Sequence, residues 1–105
     1  MVFPSEVRAQ IGQALFDAQC GQEPASAEAL KGFGGRGVLE VVEDFDGDTY
    51  RAVFTVRFAG AVYVLHAFQK KSTSGIATAK HHLELIRKRL RDAEADYRTR
   101  IAARR

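Results

Sequence analysis

The sequence predicts an α+β domain: an antiparallel meander of β-strands with a helix before it and a long helix after it. Three observations carry that prediction. Apolar residues recur every three or four positions at both ends of the chain, whereas β-branched and aromatic residues crowd its middle. Asp46-Gly47-Asp48 and Ala59-Gly60 punctuate that middle with turn chemistry. The chain has 105 residues, which places one domain over 1–105 and leaves no room for a second.

Pro4, with Ser5 and Glu6 beside it, opens the first helix. Val7, Ile11, Ala14, Leu15 and Ala18 then fall on one face over about 15 residues, and Gly21 closes it. Gln22 to Gly37 reads as a connection with one helical turn at Ser26–Leu30 and a glycine-rich second half. Strands follow at Val38–Glu43, Tyr50–Phe58 and Val62–Phe68, the first pair joined through Asp46-Gly47-Asp48 and the second through Ala59-Gly60. Thr78 is the expected N-cap of the last helix, along which Leu83, Ile86, Leu90, Ala93, Tyr97 and Ile101 form one stripe. Beyond Leu90 the stripe, at Tyr97 and Ile101, is expected to outrun the core.

Alternation assigns faces on the second strand. Tyr50, Ala52, Phe54, Val56 and Phe58 share the face expected to carry the helices. Arg51, Val53, Thr55 and Arg57 share the other, expected to lie outside the main core. Phe68 reads as core.

Net charge is +3 and unevenly spread. Residues 1–35 sum to −2, residues 36–79 to zero, and residues 80–105 to +5. A basic C-terminal segment fits an anionic partner, nucleic acid or an acidic protein surface, or simply a solvated helix face. No apolar run approaches the ~20 residues that span a bilayer. The first residues carry neither a basic nor an apolar secretory signature. With Cys20 as the one cysteine there is no internal disulfide, in keeping with a cytoplasmic site.

No metal or cofactor is expected. His66, His81 and His82 form no ligand motif, and Cys20 has no C-x-x-C partner. The Gly32–Gly37 segment lacks the Walker Lys-Ser/Thr pair and precedes a strand, so it is no phosphate loop. Gln69-Lys70-Lys71-Ser72-Thr73-Ser74 sets two lysines before a hydroxyl-rich loop, a combination suited to phosphate. Metal-free RNA cleavage needs a 2′-hydroxyl in line with the phosphorus, one proton taken, one given, and cations against the developing charge. Arg51, Lys70 and Lys71 with Glu40 or His66 supply such groups.

Gly47-Asp48-Thr49-Tyr50-Arg51-Ala52-Val53-Phe54-Thr55-Val56, then Ala61 to Ser72 with its His66-Ala67-Phe68-Gln69-Lys70-Lys71 core, then Gly75-Ile76-Ala77-Thr78, closely resemble the phage-derived HigB-like branch of the RelE/ParE toxin superfamily. Leu30-Lys31-Gly32-Phe33-Gly34, Val38-Leu39-Glu40 and Leu85-Ile86-Arg87-Lys88-Arg89-Leu90 fit as well. The resemblance implies a curved antiparallel sheet of three or four strands with helices packed on one side. It implies a toxin that cuts messenger RNA on the ribosome and is silenced by a HigA-like helix-turn-helix antitoxin. Operator DNA would be met only through that antitoxin, and no membrane is involved.

Residue by residue, Arg51 matches the arginine that contacts the scissile phosphate. Lys71 falls where a second basic catalytic residue lies, with Lys70 sharing that role. Glu40 stands on the strand that carries the proton acceptor. Arg57, His66, Gln69, Ser72 and Arg36 complete the expected RNA-contacting set. The tyrosine that some relatives carry after the basic motif is absent, which leaves Lys71 or His66 as general acid. Relatives also begin with a strand before the Phe-Pro, so the family's first strand is expected to be missing ahead of Phe3-Pro4. Two other readings stay open: a non-catalytic prophage remnant that only engages the antitoxin, and a ParE-type gyrase inhibitor.

Overall fold

The structure is a computed structural model that describes residues 3–35, 37–71 and 78–104, with the backbone alone described at Lys71. Helix α1 spans Ser5–Gln19, with Pro4 at the N-cap position and Glu6 in the first turn, where a carboxylate complements the helix dipole. Its end is a Schellman closure. Gly21, at φ 79°, donates to the Ala18 carbonyl at 3.1 Å, and Gln22 donates to that of Asp17 at 2.9 Å.

Four strands follow: β1 (Ala27–Ala29), β2 (Val38–Phe45), β3 (Asp48–Thr55) and β4 (Val64–Lys71). They form one antiparallel sheet in sequence order. Asp46 and Gly47, at φ 53° and 84°, make the two-residue turn between β2 and β3 that matches strand twist. Helix α2 (Lys80–Ala103) completes the fold.

Several sequence expectations are corrected here. The helical turn at Ser26–Leu30 is an edge strand instead. Ala27 pairs with Val41 and Ala29 with Leu39, and both alanines turn toward α1, so sheet pairing overrides alanine's helical preference. The connection after β3 is longer than a tight turn at Ala59-Gly60. Strand β3 stops at Thr55 and β4 begins at Val64, with Gly60 at φ 77° in the intervening loop. There the Val56 amide carries the β2–β3 register one step further, to the Gly37 carbonyl, while on the other edge the Thr55 hydroxyl accepts from the Tyr63 amide at 3.0 Å. Phe58 accordingly leaves the α1 face and meets Tyr63 and Tyr97 edge-on or tilted.

The helices do not share one side of the sheet. Leu39, Val41 and Phe54 pack with Ala14, Ile11 and Leu15 of α1. Val38, Val53 and Leu65 pack with Ile86, Leu90 and Ala93 of α2, together with Leu30 and Phe33. The face bearing Arg51, expected to lie outside the core, is therefore a core face covered by α2. All of β3 from Thr49 to Thr55 is buried. Tyr97 does not outrun its surroundings either: its ring lies 4.9 Å from Phe58, and its hydroxyl donates to the Ala59 carbonyl at 2.7 Å.

Candidate active site

Register places the site. Arg51 stands opposite Val42 on β2 and Phe68 on β4, and Glu40 is its diagonal neighbour, opposite Val53. All lie on the face that α2 covers. Arg51 Nη1 donates to Glu40 Oε1 at 3.1 Å and to Thr78 Oγ1 at 3.3 Å. The Thr78 hydroxyl donates in turn to Glu40 Oε2 at 2.6 Å. Arg51 is 5% exposed and Thr78 9%, so this ion pair is held in a region of low dielectric. Thr78 is thus not the N-cap of α2. Ala79 holds that position and has no side-chain oxygen to cap it, while the threonine hydroxyl, one residue earlier, bonds the carboxylate.

Beside the ion pair lies a ring cluster. A bulge in the β3–β4 ladder near Val53 and Phe54 puts Leu65 and His66 consecutively on the α2 side. His66 Nε2 lies 2.8 Å from His82 Nδ1. The His82 ring stacks on Phe68 with centroids 3.9 Å apart, and Phe68 is 5% exposed, as a core residue should be. Arg89 donates from Nη1 to the Leu65 carbonyl at 2.9 Å and contacts His66 Nδ1 at 3.1 Å.

A guanidinium has only protons to give, so His66 Nδ1 accepts, its proton resides on Nε2, and His82 Nδ1 accepts that proton's hydrogen bond. Burial first, then the charges of His82, Arg89 and His81, hold His66 below the usual histidine value. Burial, His81 and Lys70 do the same to His82. Lys70, opposite Thr49, is thereby placed on this same side, one strand from Arg51.

The remaining sequence candidates fall elsewhere. Gln69 faces the α1 side and donates to Asp48 Oδ2 at 2.7 Å. Arg57 lies past the end of β3 and is bound to Glu94 Oε1 at 3.3 Å and to the Phe33 carbonyl at 3.2 Å. Glu94 is about 21 Å along α2 from Lys80 at 1.5 Å per residue, so Arg57 does not join Arg51. The Lys71 backbone pairs with Asp48, while its side chain, Ser72 and Arg36 lie outside the described residues.

Sequence reasoning missed Thr78, His82 and Arg89. The last two had a signal: they stand seven positions apart, hence on one helix face. A cavity of about 620 Å³ opens on the α1 side, between the end of α1 and residues 56–62, and holds none of the candidate residues.

Arg51 with Glu40 is a cation fixed by a carboxylate, and the histidine pair, held below the usual histidine value, is neutral at neutral pH. Lys70 adds a charge suited to phosphate. Among the described residues no cluster of three or more His, Cys, Asp or Glu side chains is placed to hold a metal. No described helix is long and apolar enough to cross a membrane.

Neither a curated protein nor a solved structure matches the chain. The family model described as phage derived protein Gp49-like matches residues 1–91, which covers α1, the whole sheet and the first half of α2. That span includes every residue of the site just described, and the chain belongs to the Gp49-like family of phage-derived proteins.

Proposed function

We propose that the protein is the toxin of a toxin–antitoxin pair and cuts messenger RNA without a metal, through attack of a 2′-hydroxyl on the adjacent phosphorus, which expels the 5′-oxygen of the next nucleotide as a hydroxyl and leaves a 2′,3′-cyclic phosphate. Membership in the Gp49-like family, a RelE-like toxin family, supports the first half. One observation carries the second: Arg51, Glu40 and Lys70 converge on one sheet face, where β4 runs toward residues 72–74. In this reading Arg51, Lys70 and Lys71 hold the scissile phosphate and offset the charge that builds on it. Both oxygens of Glu40 are engaged, by Arg51 and Thr78. Its first task is therefore to aim the guanidinium, and it takes a proton only once that network opens.

The HigB-like resemblance extends the proposal to ribosome-bound messages, a cytoplasmic site of action and a helix-turn-helix antitoxin that carries the pair to operator DNA. Expression without an antitoxin should arrest growth and fragment transcripts. Lys70→Ala and the charge-balanced pair Arg51→Ala with Glu40→Gln should restore growth while circular dichroism still shows a folded chain. Intact transcripts in cells making the folded wild-type chain would refute the nuclease.

A second reading has its own support. Arg51 is buried and its charge is met by Glu40, as in a purely structural ion pair. A chain that binds its antitoxin tightly and leaves RNA whole would be a binding module alone.

A further inference from the structure

We infer that His66 and His82 form a proton-operated latch that holds the start of α2 over the Arg51–Glu40 ion pair. The inference rests on the reading above only in naming Arg51 as the group kept covered.

The hydrogen-bond directions leave no room for an added proton. His66 Nδ1 faces the Arg89 guanidinium at 3.1 Å, and Nε2 faces His82 at 2.8 Å. A proton on His66 Nδ1 sets N–H against N–H of a permanent cation. A proton on His82 Nδ1 does the same against His66 Nε2–H. Either way the rings must part, and the His82 stack on Phe68 goes with them.

The surrounding charges all push in this direction. From α2 these are His81 and Arg89, and from β4 Lys70. On β3 the charged neighbour is Arg51, compensated by Glu40 of β2. Glu84, two positions from His82 and exposed, lies on another side of the helix. Residues 72–77 carry no charge.

The latch sits where it controls the site. His82 belongs to the first turn of α2, which begins at Lys80. Thr78, just before that turn, closes the Glu40 carboxylate. Ala79 provides no side-chain cap to hold the turn by itself. Separation of the two rings therefore frees the first turn and draws Thr78 off Glu40, which uncovers Arg51.

Hydrogen–deuterium exchange of the full chain tests this without RNA. Rates are expressed as protection factors, so that the intrinsic pH dependence of exchange cancels. The first amide bond of α2 is Leu83 to the Ala79 carbonyl, and amides 83–86 report the first turn. As pH falls below the ordinary histidine value of about 6.5, their protection should drop by about tenfold per unit for each proton taken up on opening. Amides 90–97 should keep theirs.

His82→Phe retains a ring on Phe68 but takes up no proton and should weaken the acid response. Arg89→Gln removes the opposing cation, lets His66 Nδ1 carry a proton in the closed state and should weaken the response. Retained protection at amides 83–86 down to pH 5, or the same acid response in His82→Phe, overturns the latch. An acid response in Arg89→Gln as large as in wild type overturns the role of Arg89. RNA cleavage can stand or fall separately from every one of these outcomes.

Discussion

Thr78 gives its hydroxyl proton to Glu40 Oε2 at 2.6 Å, across 38 residues of sequence, where a threonine ahead of a helix would ordinarily cap it. The bond ties the start of α2 to the second strand of the sheet. Thr78→Val keeps the shape and removes the donor, leaving a buried carboxylate oxygen short of one partner. Stability should fall by about 1–3 kcal/mol. Thr78→Ser should recover most of the loss. Urea unfolding followed by circular dichroism measures both, and a Val variant as stable as wild type would count against the bond.

Arg51 and Glu40 should depend on each other more than on their surroundings. Their side chains are 7% and 13% exposed, so loss of either alone strands a buried charge, at a cost of about 3–5 kcal/mol. The pair Arg51→Met with Glu40→Leu should cost much less than the sum of the single changes. A double-mutant cycle on unfolding free energies provides the comparison, and additive costs would show that the two groups do not sense each other.

Acid should destabilise the fold through the histidine pair. The folded-state pKa values of His66 and His82 lie below the ordinary 6.5, so between the folded and unfolded values the unfolded chain binds more protons. Stability from this source is complete above about pH 6.5 and declines as pH falls through that value toward the lowered folded ones. The urea midpoint, followed from pH 8 to pH 5, should decline in wild type. It should decline less in the double variant His66→Gln with His82→Phe.

Gly47 should resist substitution although open space surrounds its Cα. A methyl group there meets nothing within 4 Å, yet φ is 84°. The cost of Gly47→Ala is therefore conformational, about 1 kcal/mol. Thermal melts of the two chains should show a lower midpoint for the alanine variant. An unchanged midpoint would mean that the turn relaxes.

Local chemistry was legible in the sequence and nonlocal choice was not. Asp46-Gly47 announces its turn because two adjacent positive φ values leave few residue types able to occupy it. The alternation along Tyr50–Thr55 correctly separated Arg51 and Val53 from Ala52 and Phe54. It could not say that each face meets a helix, since burial on both sides of β3 is settled by elements far along the chain. Ala27-Glu28-Ala29 has no strand signature of its own, and only β2 makes it one.

At the site, Arg51 and Glu40 were named from resemblance and prove to be bonded, whereas Arg57 and Gln69 are carried away by the end of β3 and by strand alternation. Thr78 reads as a cap because threonine favours helix N-termini, and no sequence pattern reveals the Glu40 carboxylate across the sheet.

Helix α2 is, in mechanical terms, a beam gripped more firmly at its far end than at its near one. Its far half is fixed by the Phe58–Tyr97 contact, the Tyr97 bond to Ala59 and the bond from the Tyr63 hydroxyl to Asp96 at 2.7 Å. Its near end is attached by the Thr78 hydroxyl and the His66–His82–Phe68 rings, with Arg89 on the Leu65 carbonyl and Ile86 in the core behind them. From Asp96 back to Lys80 the arm is about 24 Å long at 1.5 Å per residue. A small tilt at the clamp becomes several ångströms at the tip, so whatever grips the distal loop also sets how far the tip stands from the sheet.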